Sequence, residues 1–160
     1  LGDVYKRQIQ PVINKQLTLL TASYGMRIHP FYKTLQSHQG VDYTIPEGSR
    51  VFATADGTVR EVAQRNSTSG QTVVIDHGNG YETSYNHLSK INVRKGQQVR
   101  RGDIIALSGD TGLSLSPHLH YEVRLNGMRV DPIHYFFMEL SPVEYQRIIR
   151  IAQSGMQSFD

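Results

Sequence analysis

The sequence predicts an all-β domain whose antiparallel sheets form a groove, with one α-helix at the C-terminal end. Three observations carry that expectation. Short β-branched or alternating segments recur along most of the chain, Gly, Asn and Asp turn signals separate them, and helical periodicity occurs once, near the end. The 160 residues suit one domain with a sizeable core, and 38 % apolar residues are enough to fill it.

In chain order, residues 18–21 and 41–45 are strand-like, and Pro46-Glu47-Gly48 turns the chain. Residues 51–53 lead to the turn dipeptide Asp56-Gly57, after which 58–65 alternate as a strand does. Residues 66–70 are a polar loop, and the β-branched run 72–76 is a buried strand. His77-Gly78-Asn79-Gly80 reads as a hairpin turn, because Asn-Gly accepts positive φ angles, and 81–87 return as its partner strand. Glycines bracket residues 97–101, residues 104–107 form another buried strand, and 109–117 are a Gly/Ser-rich loop. Residues 118–125 alternate again before the turn Asn126-Gly127. Ser141-Pro142 then has the form of an N-cap followed by proline at the first helical position. Val143, Tyr145, Ile148, Ile149 and Ala152 recur at helical spacing, and Gly155 can close that helix.

Composition narrows the functions. There are no cysteines, so disulfides and thiolate metal sites are excluded and any metal must rest on His and carboxylates. The net charge of +3 is compatible with an anionic partner, but its scattered cations lack interleaved aromatics, so no nucleic-acid partner is expected. No apolar run approaches the roughly 20 residues of a membrane span. Residues 1–15 read as a truncated leader: the chain starts at Leu1 rather than Met, and no apolar signal region follows. Residues 1–8 contain a stretch resembling the translation of a sequencing adapter and are set aside as an artefact. The main unit is drawn at 16–137, with a helical extension at 138–160.

Seven histidines in a cysteine-free chain raise a metal hypothesis, and spacing sharpens it. His118-Leu119-His120 lies in an alternating segment, so both imidazoles share one face while Leu119 anchors the other. His38-Gln39-Gly40-Val41-Asp42 adds an imidazole and a carboxylate at a strand entry, with Gly40 marking a turn or a close backbone approach. Together His38, Asp42 and His120 give the ligand set of catalytic zinc sites, which keep three protein ligands and leave a fourth position for water. Zinc makes hydroxide available near neutral pH, and His87 and His118 would be left to act as general base and to stabilise an oxyanion.

These motifs resemble the lysostaphin-like family of zinc metallopeptidases, which hydrolyse peptide bonds in bacterial cell walls. The resemblance covers residues 18–137. Its carriers, in order, are Gly25-Met26-Arg27-Ile28-His29-Pro30, His38-Gln39-Gly40-Val41-Asp42, Ala55-Asp56-Gly57-Thr58-Val59, Tyr85-Asn86-His87-Leu88-Ser89, and Pro117-His118-Leu119-His120-Tyr121-Glu122 after a Gly-rich loop. It implies His38, Asp42 and His120 as Zn2+ ligands and His87 and His118 as the catalytic pair. It further implies a groove fold related to biotinyl/lipoyl-like barrel-sandwich elements, peptidoglycan stems or cross-bridges as substrate, and a place in the cell envelope. Asn86 stands where the family usually has a small residue, and Leu115-Ser116 where Thr-Gly is frequent, which bears on substrate preference.

Two other readings stand beside it. A regulator of the same family that activates other wall hydrolases would have lost ligands, whereas all five positions here are intact. A carrier-like β module is suggested by residues 96–103, but no Met-Lys-Met hairpin tip occurs. Among the remaining histidines, His77 is expected to be solvated, His134 to serve surface or packing, and His29 to line the groove. Tyr24 and Tyr121 are expected to pack.

Overall fold

The alternating segments pair as antiparallel strands around a core of tyrosine and aliphatic side chains. The computed structural model describes residues 8–28, 35–136 and 140–153. Its strands are β1 (Leu20–Ala22), β2 (Gly25–Ile28), β3 (Leu35–His38), β4 (Val41–Tyr43), β5 (Arg50–Phe52), β6 (Gly57–Asn66), β7 (Gly70–Gly78), β8 (Tyr81–Ile91), β9 (Gln98–Val99), β10 (Ile104–Ser108), β11 (Leu119–Leu125) and β12 (Met128–Val130). A 3₁₀ turn, Pro132–Tyr135, and the helix α1 (Pro142–Ala152) follow.

The large sheet runs in the order β1-β4-β11-β8-β7-β6-β9; β10 pairs with β5 and β8, and β12 with β11. β2 and β3 form a separate hairpin. This is the antiparallel, groove-forming β architecture that alternation predicts. The pleat sorts the side chains. Val41, Tyr43, Tyr85, Leu119 and Tyr121 are fully buried on the core face, while Asp42, Asn86, His120 and Glu122 occupy the other face of the same strands.

Tyr121 packs as expected, and its hydroxyl is satisfied inside the core. It donates to Gln8 Oε1 at 2.7 Å and lies 2.9 Å from Thr54 Oγ1, which also contacts the Tyr85 hydroxyl. Burial pushes both phenols above their usual pKa. Gln8 belongs to the segment read as a leader, yet residues 8–17 are folded onto the body: Val12 and Leu17 join the core, and Gln10 accepts from the Tyr43 hydroxyl. Gln8 and Gln10 are partners for buried tyrosines.

The helix starts where its cap predicts. Ser141 and Glu144 complete a reciprocal capping box, and Ile148 and Ala152 are buried against the β body. Gly155 and His29 lie outside the described residues. Residues 96–103 are structural: β9 pairs with β6, and Gly96 and Gly102 take positive φ in turns. The hairpin β2–β3 and the short β12 were not anticipated, because strands of three or four residues give too few alternating positions to stand out.

His77 departs from expectation. It ends a strand rather than sitting in the turn, which is Asn79-Gly80, and its ring is held at both nitrogens by the Asp56 carbonyl and Thr83 Oγ1, each at 2.7 Å. Burial lowers its pKa, and the Asp56 carbonyl only partly offsets this. His134 is exposed, as expected.

Candidate metal centre

Register brings the site together. Asp42 on β4 and Asn86 on β8 are both cross-strand partners of His120 on β11, so three side chains form one row across the groove floor. His38 closes the row from the end of β3. Gly40 lets the intervening turn fit: a Cβ there would meet the Tyr121 carbonyl oxygen at 2.2 Å. The ligand atoms of His38, Asp42 and His120 all lie within 4.8 Å of one another, and all three residues are buried.

Hydrogen bonds orient the rings. His38 Nδ1 lies 2.8 Å from the Ser23 carbonyl oxygen, which can only accept, so the proton sits on Nδ1 and Nε2 faces Asp42 at 3.3 Å. Both nitrogens of His120 face carboxylates: Nε2 lies 2.9 Å from Glu122 Oε2 and Nδ1 2.8 Å from Asp42 Oδ1. Burial would raise the Glu122 carboxyl, but bonds from His120 and Arg129 outweigh it and lower its pKa to about 2. Glu122 is therefore a carboxylate that accepts. When Glu122 accepts the proton on Nε2, Nδ1 is left to offer its lone pair on the side of Asp42. These donors fit a divalent metal bound through two imidazoles and a carboxylate.

His87 and His118 flank this set, with ring centroids 4.7 Å apart. His118 Nδ1 donates to the Ser116 carbonyl at 2.8 Å, and its Nε2 lies 3.9 Å from Asp42 Oδ1. His87 Nδ1 donates to the Thr111 carbonyl at 2.7 Å. In both rings Nε2 is consequently the basic nitrogen.

His87 reaches the groove by a backbone irregularity. Strict alternation from the buried Tyr85 would turn it into the core. Between the pairs Gln71↔Leu88 and Val73↔Tyr85 the register shifts, and His87 takes a φ of 61°. This bulge lets Asn86 and His87 both line the groove and returns Leu88 to the core. The Gly109–Gly112 loop supplies its support: a Cβ on Gly112 would meet Gly70 N at 2.3 Å, so the two loops touch closely enough to set the Thr111 carbonyl against His87.

The groove holds about 430 Å³, within the range of ligand sites. Its floor is polar. Ser84 Oγ donates to Asn86 Oδ1 at 3.1 Å, and Thr72 Oγ1 has no hydrogen-bond partner among the described residues. All five expected site residues thus meet at one groove. Four contributors had not been assigned a role: Glu122, whose spacing from His120 already placed it on the same strand face, and the carbonyls of Ser23, Thr111 and Ser116, which no side-chain pattern reveals.

The structure thus joins an antiparallel β groove to a floor of two histidines and an aspartate that could hold a metal ion, with two more histidines beside them. The model of Peptidase family M23 matches residues 36–132, more than half of the chain, and the chain belongs to that family. It is similar to the peptidoglycan DD-endopeptidase ShyA of Vibrio cholerae, at 49 % identity over 66 % of this chain and 24 % of that protein. A crystallised zinc-containing peptidase from Vibrio cholerae superposes with a TM-score of 0.66 and 34 % identity, covering 84 % of this chain and 41 % of that one. The catalytic domain of lysostaphin from Staphylococcus simulans gives 0.65 and 31 %, covering 78 % and 98 % respectively. The chain spans between 22 % and 28 % of the length of the curated relatives it matches. Among the described residues, no helix is long and apolar enough to cross a membrane.

Proposed function

We propose that the unit at residues 16–137 is a zinc-dependent metalloendopeptidase that hydrolyses peptide cross-links of bacterial peptidoglycan in the cell envelope. The observation that carries this reading is the convergence of His38, Asp42 and His120 within 4.8 Å, beside the buried His87 and His118 pair. The names of its relatives, several of them peptidoglycan DD-endopeptidases, support the substrate class.

His38 Nε2, the Asp42 carboxylate and His120 Nδ1 are assigned as the ligand atoms. Zinc held there would polarise a scissile carbonyl and acidify water. His87 and His118, each with its proton fixed at Nδ1, present Nε2 to the reacting groups. One ring takes the proton of the attacking water; the other, when charged, donates from Nε2 to the developing oxyanion. The polar floor offers Thr72 and Asn86 to the amides of an extended peptide.

The test is digestion of purified sacculi of known cross-bridge chemistry, with mass analysis of the released fragments. We expect new peptide termini that disappear with chelator and return with added zinc. Intact sacculi in the presence of the zinc-loaded domain would overturn the reading.

A further inference from the structure

We infer that Arg124 and Arg129 form a carboxylate-binding subsite in the groove, so that the preferred peptide carries a free carboxylate within two residues of the bond to be cut; this rests on the peptidase reading above.

The charges around Glu122 are the starting point. Its Oε2 accepts from His120, while its Oε1 accepts from both Arg124 Nη2 at 3.1 Å and Arg129 Nε at 3.0 Å. One carboxylate balances one guanidinium, so the Glu122 cluster itself carries an excess of one positive charge, with Glu61 on β6 the other carboxylate that lines the groove. Glu82, the residue directly opposite Arg124 on β8, does not remove it, because Glu82 is engaged by Arg60. Burial of Glu122 therefore accounts for one arginine but not for two.

Both guanidiniums also remain available. Their side chains are 27 % and 39 % exposed, and both line the groove. Each bonds Glu122 through one nitrogen. Their other N–H groups have no protein partner among the described residues. A guanidinium carries five donors in a planar fork that matches the two oxygens of a carboxylate. Glu122 thus holds two half-used forks in place, reducing the side-chain freedom that a ligand would otherwise have to restrict.

Placement sets where the ligand's carboxylate falls. His120, Glu122 and Arg124 share the groove face at two-residue intervals, about 7 Å each along an extended strand. Because the guanidiniums lean back onto Glu122, an incoming carboxylate sits about 7 Å from the proposed ligands, the reach of one or two residues of extended peptide. His118 lies on the other side of His120 along the chain, so the subsite takes one flank of the substrate and leaves the catalytic pair clear.

The experiment uses wall-stem peptides that place a carboxylate, or its amide, one or two residues to either side of the bond. Cleavage by the zinc-loaded protein is followed by mass analysis. Binding is followed by fluorescence anisotropy with analogues N-methylated at the scissile amide. For at least one position, wild type should bind the free acid about tenfold more tightly than the amide, the size of one charge-assisted contact. Arg129→Gln and Arg124→Gln should each reduce that preference to about twofold while leaving amide binding nearly unchanged. Equal binding of acid and amide across the series would overturn the subsite. So would variants that weaken both peptides alike, which is what support of Glu122 alone would produce. Cleavage without acid preference would sink the subsite and leave the peptidase reading standing; acid preference without cleavage would do the reverse.

Discussion

Strands β11 and β8 deliver histidines to one groove by opposite means. At β11 the backbone is regular: His120 stands on the strand and His118 just before it, in a bridge to Gly109, and alternation puts both on one side of the buried Leu119. On β8 the same rule would bury His87 with Tyr85, and only a bulge with a left-handed residue brings it out. Two of the proposed ligands, Asp42 and His120, stand on the regular β4–β11 ladder, where register fixes their distance. The ring delivered by the bulge is one assigned to proton transfer. A position fixed by several ladder hydrogen bonds suits a metal, whose bonds tolerate little error, whereas a looped-out residue suits a group that needs only hydrogen-bond reach.

That contrast is broken most severely by removing Asp42. Asp42→Ala should lose metal and abolish hydrolysis, beyond the roughly 10²–10⁴-fold expected from deleting an acid–base group. Activity with and without a large zinc excess measures this. Next come the rings outside the ligand set: His118→Ala and His87→Ala should each lower kcat by about 10²–10⁴ with zinc still bound. Retention of wild-type kcat in either variant would remove that ring from the chemistry.

Glu122→Ala should weaken zinc affinity by about 10–100-fold, read by competition with a coloured chelator, because His120 then loses the acceptor that fixes its tautomer. Glu122→Gln, which keeps an acceptor oxygen, should recover part of the loss. The smallest effect tests the backbone itself. At position 87, glycine should be more stable than alanine by about 1 kcal/mol, because a left-handed residue with a Cβ is strained. At position 118 the order should invert by about 0.5–1 kcal/mol, because glycine weakens an ordinary strand. Thermal or urea unfolding of the four variants shows whether the sign reverses.

The same contrast separates what the sequence made legible from what it did not. His118-Leu119-His120 and the alternation through Glu122 revealed a strand face directly, and Gly40 marked the close approach that the fold uses. The cap at Ser141-Pro142 located the helix start. The motif around His87 was legible only by resemblance, since alternation by itself assigns that ring to the core. The roles of Gln8 and Gln10 were not legible, because their buried tyrosine partners, Tyr121 and Tyr43, lie far along the chain. His77 was misread for a similar reason: a histidine beside a turn signal looks solvated, and its two partners, Asp56 and Thr83, come from elsewhere in the sheet. The hairpin β2–β3 escaped because its strands are only four residues each, too short for alternation to stand out.

The central claim divides five histidine and aspartate side chains into three that hold metal and two that do not. Zinc content per chain, measured after dialysis of the five single alanine variants beside wild type, tests it directly. We predict about one zinc in wild type, His87→Ala and His118→Ala, and well below one in His38→Ala, Asp42→Ala and His120→Ala. Zinc lost from His118→Ala but kept in His120→Ala would contradict the account.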